Sequence, residues 1–333
     1  MINILTDKDA DESFLEGKTV AIIGYGSQGS AQANCLKDSG VSVIIGETEN
    51  LGGKANPSWI RAKQEGFEVY EIDKAAEKAE IIHILVPDEF QADVYNASVK
   101  QFMRAGKTLC FSHGFNICYK RITPPENVDV IMVAPKAPGP EERRQYLEGF
   151  GVPGLIAIHQ NPSGTARDIA LAMAKAMHWT RAGCLECTFE QETYEDLFGE
   201  QAVLCGGATE LVKAGFDTLV EAGYPPEMAY FECLHELKLI VDLMYKGGFT
   251  EMWKSVSNTA KYGGLTRGKE IITDKTRKVM KKMLKDIESG KFAREWVDEC
   301  AKGKPLLNKL QEEDFNHPIE KVGKEIRELF RKK

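Results

Sequence analysis

Thr19-Val20-Ala21-Ile22-Ile23-Gly24-Tyr25-Gly26-Ser27-Gln28-Gly29 sets a GxGxxG directly behind an unbroken apolar run and at the opening of a helical pattern over residues 28–37. A short apolar run of this kind reads as a strand buried on both faces. Bare, the glycine pattern says little; between a strand and a helix it reads as a dinucleotide-binding turn. Gly24 permits the tight turn, Gly26 lets the backbone approach a pyrophosphate, and Gly29 lets the helix sit close to the sheet. Free amides at the helix start would receive the phosphates.

Outward from this turn the same alternation repeats. Apolar runs at 41–45, 81–86, 108–111, 130–134 and 155–158 are separated by amphipathic stretches such as 89–102. This predicts an α/β, Rossmann-like doubly wound parallel sheet over residues 1–187. Beyond about Thr188 the strand signal fades, and helical patterns at 193–222, 226–245, 269–289 and 318–330 predict an all-α domain over 188–333. Pro225-Pro226 and Gly247-Gly248 punctuate the first two of these.

Bulk composition narrows the function classes. A chain of 333 residues with 43% apolar and 28% charged residues has the profile of two globular units, and a formal charge of −7 argues against nucleic acid as a partner. Residues 1–11 lack the basic start and apolar run of a secretory signal, and no stretch has the length of a membrane span. A cytoplasmic address is expected, with the eight cysteines as thiols. Cys184 and Cys187 form a lone CxxC without a second pair, and are read as structural.

Behind the second strand, Glu47 stands where an acidic side chain accepts hydrogen bonds from the adenosine ribose hydroxyls. The same carboxylate repels a ribose phosphate, which favours NADH. Lys54, Ser58 and Arg61 nearby leave NADPH open. His113 and Lys136 each follow an apolar run, and ligands of open α/β sheets sit beyond the carboxyl ends of strands. In the helical half, Asp196 with Glu200 and Glu232 with Glu236 are acid pairs at i,i+4, each on one helix face. Glu232 and Glu236 share a stripe with Ala229, Leu239, Ile240 and Leu243, and both pairs are expected to be half-buried. Like charges so placed cost roughly 0.2–0.5 kcal/mol even on an exposed helix, so a compensating cation is one reading and a solvated face the other. An all-carboxylate set suits magnesium better than zinc.

Several blocks, taken together, resemble ketol-acid reductoisomerase in its short form: 24–29, Ser112-His113-Gly114-Phe115-Asn116-Ile117, Ala134-Pro135-Lys136-Ala137-Pro138-Gly139, Asp196-Leu197-Phe198-Gly199-Glu200-Gln201, Glu232-Cys233-Leu234-His235-Glu236 and Ser257-Asn258-Thr259-Ala260. The resemblance spans nearly the whole chain. It implies a knotted, all-helical C-terminal domain and an Mg2+-dependent alkyl migration in 2-acetolactate or 2-aceto-2-hydroxybutyrate, followed by NAD(P)H reduction to the 2,3-dihydroxy acid of branched-chain amino acid synthesis. It further implies two magnesium ions held by Asp196, Glu200, Glu232 and Glu236, with Asp196 bridging and Glu236 also moving a proton. Ser257 would hold the substrate carboxylate, His113 would lie near the nicotinamide, and Lys136 would hold water and carboxylates. Gly24, Tyr25, Gly26, Ser27, Gln28, Gly29, Glu47, Ser58, Gly139 and the Pro87-Asp88 loop would serve the cofactor. Helical domains of two subunits would share each site, making a homodimer the least assembly. Ser30, Cys118 and Lys261 depart from the family pattern. Two other readings stay open: a metal-independent two-domain hydroxyacid dehydrogenase, and a non-catalytic dinucleotide-binding dimer.

Overall fold

The computed structural model describes residues 3–330. They divide into two compact units, 1–193 and 194–333, with the division inside one helix.

The first unit is built on a sheet of nine strands. In chain order the strands are β1 (Ile4–Leu5), β2 (Thr19–Ile23), β3 (Ser42–Gly46), β4 (Asn50–Leu51), β5 (Lys54–Ala55), β6 (Glu68–Tyr70), β7 (Ile81–Ile84), β8 (Thr108–Phe111), β9 (Asp129–Pro135), β10 (Gly154–Gln160) and β11 (Cys184–Cys187). The large sheet has the order β1-β11-β10-β9-β8-β7-β2-β3-β6, and β4 with β5 forms a separate hairpin. From β6 to β9 all pairs are parallel, with Val20 opposite both Val43 and Ile81. The strands are apolar throughout because both faces are covered. Val20, Ile22, Ile81, Cys110, Ile131 and Val133 enter one core, while Ala21, Ile23, Ile82, Ile84, Leu109, Phe111, Val130 and Met132 enter the other.

The expected sheet is recovered with one difference. β10 runs antiparallel to β9, and β1 antiparallel to β11, so the far side is mixed. β6, β11 and the hairpin left no apolar run, because Glu68, Glu186, Asn50 and Lys54 stand in strands of only two to four residues.

The covering helices are α1 (Ser27–Asp38), α2 (Pro57–Gln64), α3 (Ile72–Lys78), α4 (Asp88–Val94), α5 (Phe115–Cys118), α6 (Gly139–Leu147), α7 (Ala166–Ala176) and α8 (Trp179–Ala182), and α9 (Phe189–Gly199) carries the chain across the division. The second unit contains α10 (Gly206–Glu221), α11 (Pro226–Tyr230), α12 (Glu236–Ser255), α13 (Asn258–Ile271), α14 (Asp274–Glu288), α15 (Lys291–Ala301), α16 (Pro305–Phe315) and α17 (Pro318–Phe330). Two expected long helices are broken: π turns interrupt them at Glu200–Leu204 and Phe231–His235, and α12 leaves helical geometry at Gly247 and Gly248. The stretch expected at 269–289 is the end of α13 and all of α14, parted where Thr273 caps α14 by accepting from Thr276 N–H. The small core of this unit joins Val212 and Phe216 to Ala229, Tyr230, Ile319 and Ile326. Among the described residues no helix is long and apolar enough to cross a membrane.

On α6, Glu142 is wholly buried; Oε1 accepts from Trp179 Nε1 at 3.1 Å and Oε2 has no partner. Burial pushes its carboxyl from 4.5 up to about 8. The folded protein therefore keeps a proton that the unfolded chain releases across that window, so stability falls as pH rises from about 4.5 to about 8. Glu142→Gln is neutral at every pH and removes the loss, which is on the order of a few kcal/mol. Thermal melts at about pH 5 and about pH 8.5 should show the variant gaining on the wild type as pH rises; a constant difference between the two proteins would rule out a buried proton carrier.

Candidate functional site

The nucleotide turn is assembled by close backbone packing. Gly24 takes a φ of +98° beside Val86, and a Cβ on Gly29 would lie 2.0 Å from Gly24 O. Gly139, at the start of α6, leaves as little room against Ser27, whose carbonyl oxygen would be 2.4 Å from an added Cβ. A cleft of about 800 Å³ opens here, lined by Tyr25, Gly26, Ser27, Ser58, Arg61, Gly139 and Arg143 among others. Five of the residues expected to bind the cofactor are thus brought to one cleft. Gly24, Gln28, Gly29 and Glu47 act from behind it, as frame.

Glu47 is part of that frame: Oε2 accepts from Tyr25 N–H at 3.1 Å and Oε1 from Thr48 N–H at 3.0 Å. Arg61 donates to Tyr25 O at 2.5 Å and Gly26 O at 3.2 Å, holding a guanidinium beside the turn. Tyr25 buries its ring and donates to Glu65; burial and that carboxylate push its hydroxyl well above the ordinary tyrosine range. Pro87 caps α4, and Asp88 Oδ1 accepts from Gln91 Nε2. Their loop reaches the turn through Val86, whose N lies 2.8 Å from where a Gly24 Cβ would stand.

His113 and Lys136 follow adjacent parallel strands, β8 and β9, and meet on one acid that the sequence reading passed over. Glu192 of α9 has a side chain only 2% exposed; Oε2 lies 3.1 Å from His113 Nδ1 and Oε1 accepts from Lys136 Nζ at 3.2 Å. Burial raises its pKa, but the His113 hydrogen bond, the charges of His113 and Lys136 and the Lys136 hydrogen bond outweigh that, leaving the carboxyl below its ordinary range. Gly114 lets α9 approach, since a Cβ there would meet Thr193 Oγ1 at 2.3 Å. A signal for Glu192 existed: it stands four residues before Asp196, as Asp196 stands before Glu200. Extending the acid pair by one turn would have found it.

A polar chain ties this clasp to the nucleotide turn. Ser112 Oγ has one proton, and Val133 O, an acceptor only, lies at 2.8 Å. Ser112 then accepts from Gln32 Nε2 at 3.0 Å and from His83 Nε2 at 3.1 Å. Gln32 Nε2 also reaches Gln28 Oε1 at 3.2 Å, and Gln28 Nε2 donates to Ala137 O at 3.0 Å. Burial pushes His83 down to about 3, so it stays neutral.

In the second unit Glu200 opens the first π turn, Glu232 lies in the second and Glu236 follows it. The expected half-burial is met only by Asp196: Glu200, Glu232 and Glu236 are exposed, and of the stripe beside the second pair Leu239 is 52% exposed, Ile240 and Leu243 are half-buried and Ala229 is buried. Among the described residues these four acids are not gathered into one ligand set within the chain. Ser257 caps α13, its Oγ accepting from Ala260 N–H at 3.1 Å, so its own proton remains to be given. Of the departures from pattern, Ser30 donates to Ser27 O, Cys118 lies against Thr193 Oγ1, and Lys261 reaches Asn258 Oδ1.

The family model described as acetohydroxy acid isomeroreductase, NADPH-binding domain, matches residues 14–183, and that of the ketol-acid reductoisomerase C-terminal domain matches residues 189–332. The chain belongs to the ketol-acid reductoisomerase family. A ketol-acid reductoisomerase (NAD(+)) of uncultured archaeon GZfos26G2 is 64% identical over 332 residues, covering 100% of both chains. A ketol-acid reductoisomerase (NADP(+)) of Akkermansia muciniphila is 59% identical, covering 99% of both. A solved structure described as an NADH-preferring ketol-acid reductoisomerase from an uncultured archean superposes with a TM-score of 0.98 at 64% identity, covering 99% of this chain and 100% of that one. Membership makes this ketol-acid reductoisomerase an oxidoreductase and sets aside the metal-independent dehydrogenase and the non-catalytic dimer. It also explains the length, which matches the short relatives end to end.

The clasp predicts a coupling. Glu192→Gln removes the carboxylate charge facing Lys136, and Lys136→Met removes one of the donors that hold Glu192. Each should destabilise by roughly 1–3 kcal/mol, discounted for the partial exposure of Lys136. In urea denaturation the double variant should cost less than the sum of the two singles, by about 1 kcal/mol or more. Simple additivity would show that the two groups do not sense each other.

Proposed function

We propose that the chain catalyses the Mg2+-dependent alkyl migration of 2-acetolactate or 2-aceto-2-hydroxybutyrate and then reduces the product with NADH, with NADPH as a second donor, in a site shared between two subunits. The observation that carries this reading is the match of both family domains along the chain, with the expected acid pairs present in the second. Eight free thiols accord with a reducing, cytoplasmic setting.

The donor chemistry fits the metal. Asp196, Glu200, Glu232 and Glu236 offer only carboxylate oxygens, the ligands of a small hard cation. When bound, Mg2+ supplies Lewis-acid stabilisation of alkoxide charge and the nicotinamide supplies hydride. The chain's own residues do the rest. Glu236 takes the hydroxyl proton at its carboxylate before migration and returns a proton after reduction. Ser257 gives its free hydroxyl proton to the substrate carboxylate. Lys136, fixed on Glu192, keeps positive charge at the strand ends, where anionic oxygen develops, and His113 is held on the same carboxylate.

The exposure of three acids supports a shared site. So does the exposed apolar surface of the same unit, where Leu204, Tyr245, Phe249 and Tyr262 are each more than two-thirds exposed. A second copy would cover both, each subunit's Asp196 and Glu200 facing the partner's other pair. Asp196→Asn and Glu232→Gln should each lower turnover roughly a hundredfold or more while NADH still binds. Mixed by co-expression, the two should regain roughly a quarter of wild-type activity, because half of the assemblies then hold one intact site of two. No recovery on mixing would place each site within one subunit.

Glu47 supports the preference for NADH, as its carboxylate stands at the turn, where a ribose phosphate would be repelled. Glu47→Gln should shift the NADH-to-NADPH ratio of kcat/KM about tenfold toward NADPH, equivalent to 1.4 kcal/mol. An unmoved ratio would assign the preference to another residue.

A further inference from the structure

Two acid-bearing stretches share a backbone irregularity. Glu200 opens the π turn Glu200–Leu204, closed by Cys205 N–H on Glu200 O at 3.0 Å, and Glu232 lies in the π turn Phe231–His235, closed by Glu236 N–H on Phe231 O. A π turn holds one residue more than an α turn, and it recurs at functional sites.

For the first turn the structure also shows what holds it. A Cβ on Gly206 would lie 2.3 Å from Gln201 O, and one on Gly207 2.2 Å from Ala202 O. Both oxygens are backbone, five residues back, so no side-chain rotation relieves either contact. Thr209 Oγ1 donates to Cys205 O at 2.7 Å and lies 3.2 Å from Gly206 O, occupying carbonyls beside the irregularity. Two adjacent glycines at the head of a 16-residue helix cost roughly 2 kcal/mol of helix propensity against alanine. By contrast, Gly263 and Gly268 in α13 have open space where a Cβ would go.

We propose that Gly206-Gly207 is a positioning pair that holds this turn open and so aims the Asp196 and Glu200 carboxylates. This rests on the metal reading above. Downstream, α10 is pinned by Val212 and Phe216 in the core of its unit. With that end fixed, closing the turn to ordinary helix takes up one residue. The acid-bearing turn before it then swings by about 100° and shifts by about 1.5 Å relative to α10. A carboxylate pair so turned leaves the face it shares with the substrate.

The test is calorimetric titration of Mg2+ into the full-length assembled protein, without substrate, beside fluorescence titration of NADH. Gly206→Ala and Gly207→Ala should each weaken Mg2+ binding about tenfold or more. NADH affinity, which belongs to the other unit, should stay within about twofold. Gly263→Ala should change neither. Deletion of Val203 removes the surplus residue and restores an ordinary helix; it is expected to fold with undiminished helix content and to lose Mg2+ affinity in the same way, so the inference stays exposed to test if the alanine variants do not fold. Wild-type Mg2+ affinity in a folded alanine variant or in the deletion overturns the positioning role. A wild-type protein that takes up no Mg2+ overturns the metal reading beneath it.

Discussion

A carboxylate shut away from water has to be met by hydrogen-bond donors or positive charge, and Glu192 is met from two sides at once, by the His113 ring and the Lys136 ammonium. Its partners follow β8 and β9, whose register sets Phe111 opposite Met132. Adjacent parallel strands run about 4.8 Å apart, so residues just past their ends stand at a separation that one carboxylate can bridge, an oxygen to each. The sheet's regularity therefore decides where His113 and Lys136 can be, and Glu192 decides how they point. Gly114 completes the constraint, since a side chain there would push α9 off the strand ends.

The nucleotide turn is locked to the same place by hydrogen bonds rather than by charge. Because Ser112 can give only one proton and Val133 O takes it, the donors around Ser112 are fixed in direction. Gln32 and Gln28 pass that order along to Ala137, the neighbour of Lys136, while Ser112 is itself the neighbour of His113. Both residues of the clasp thus adjoin a member of one buried chain that begins in the GxGxxG helix. Such a network joins the cofactor cleft to the strand ends through directed hydrogen bonds.

Much of this was legible in the sequence for a physical reason. A strand buried on both faces must be apolar along its length, so β2, β3, β7, β8, β9 and β10 show as runs, and the glycine spacing between β2 and α1 can serve few backbones. Strand ends then locate His113 and Lys136. The spacing of Glu192 to Asp196 was visible, but not its burial, which depends on Gly114, 78 residues away in sequence, letting α9 approach. The Gly206-Gly207 step was visible as composition, but its meaning lies in two carbonyl oxygens that only the folded backbone brings near.

The misjudged burial of the acids points to the level at which this fold is complete. A stripe of Leu239, Ile240 and Leu243 beside Glu232 and Glu236 implies a covered face, yet in the single chain Leu239 and Val241 are about half exposed. The pattern marks an apolar face, and the single chain leaves part of it open. Apolar periodicity records what is covered in the working molecule, and it does not distinguish a neighbouring helix from a neighbouring subunit. Like charges on the same face sharpen the point. An apolar contact alone would select against carboxylates at its centre, since burying them unpaired costs several kcal/mol each. On the proposed reading, a second copy closing over bound cations would both cover the face and bring positive charge to its acids with the same surface.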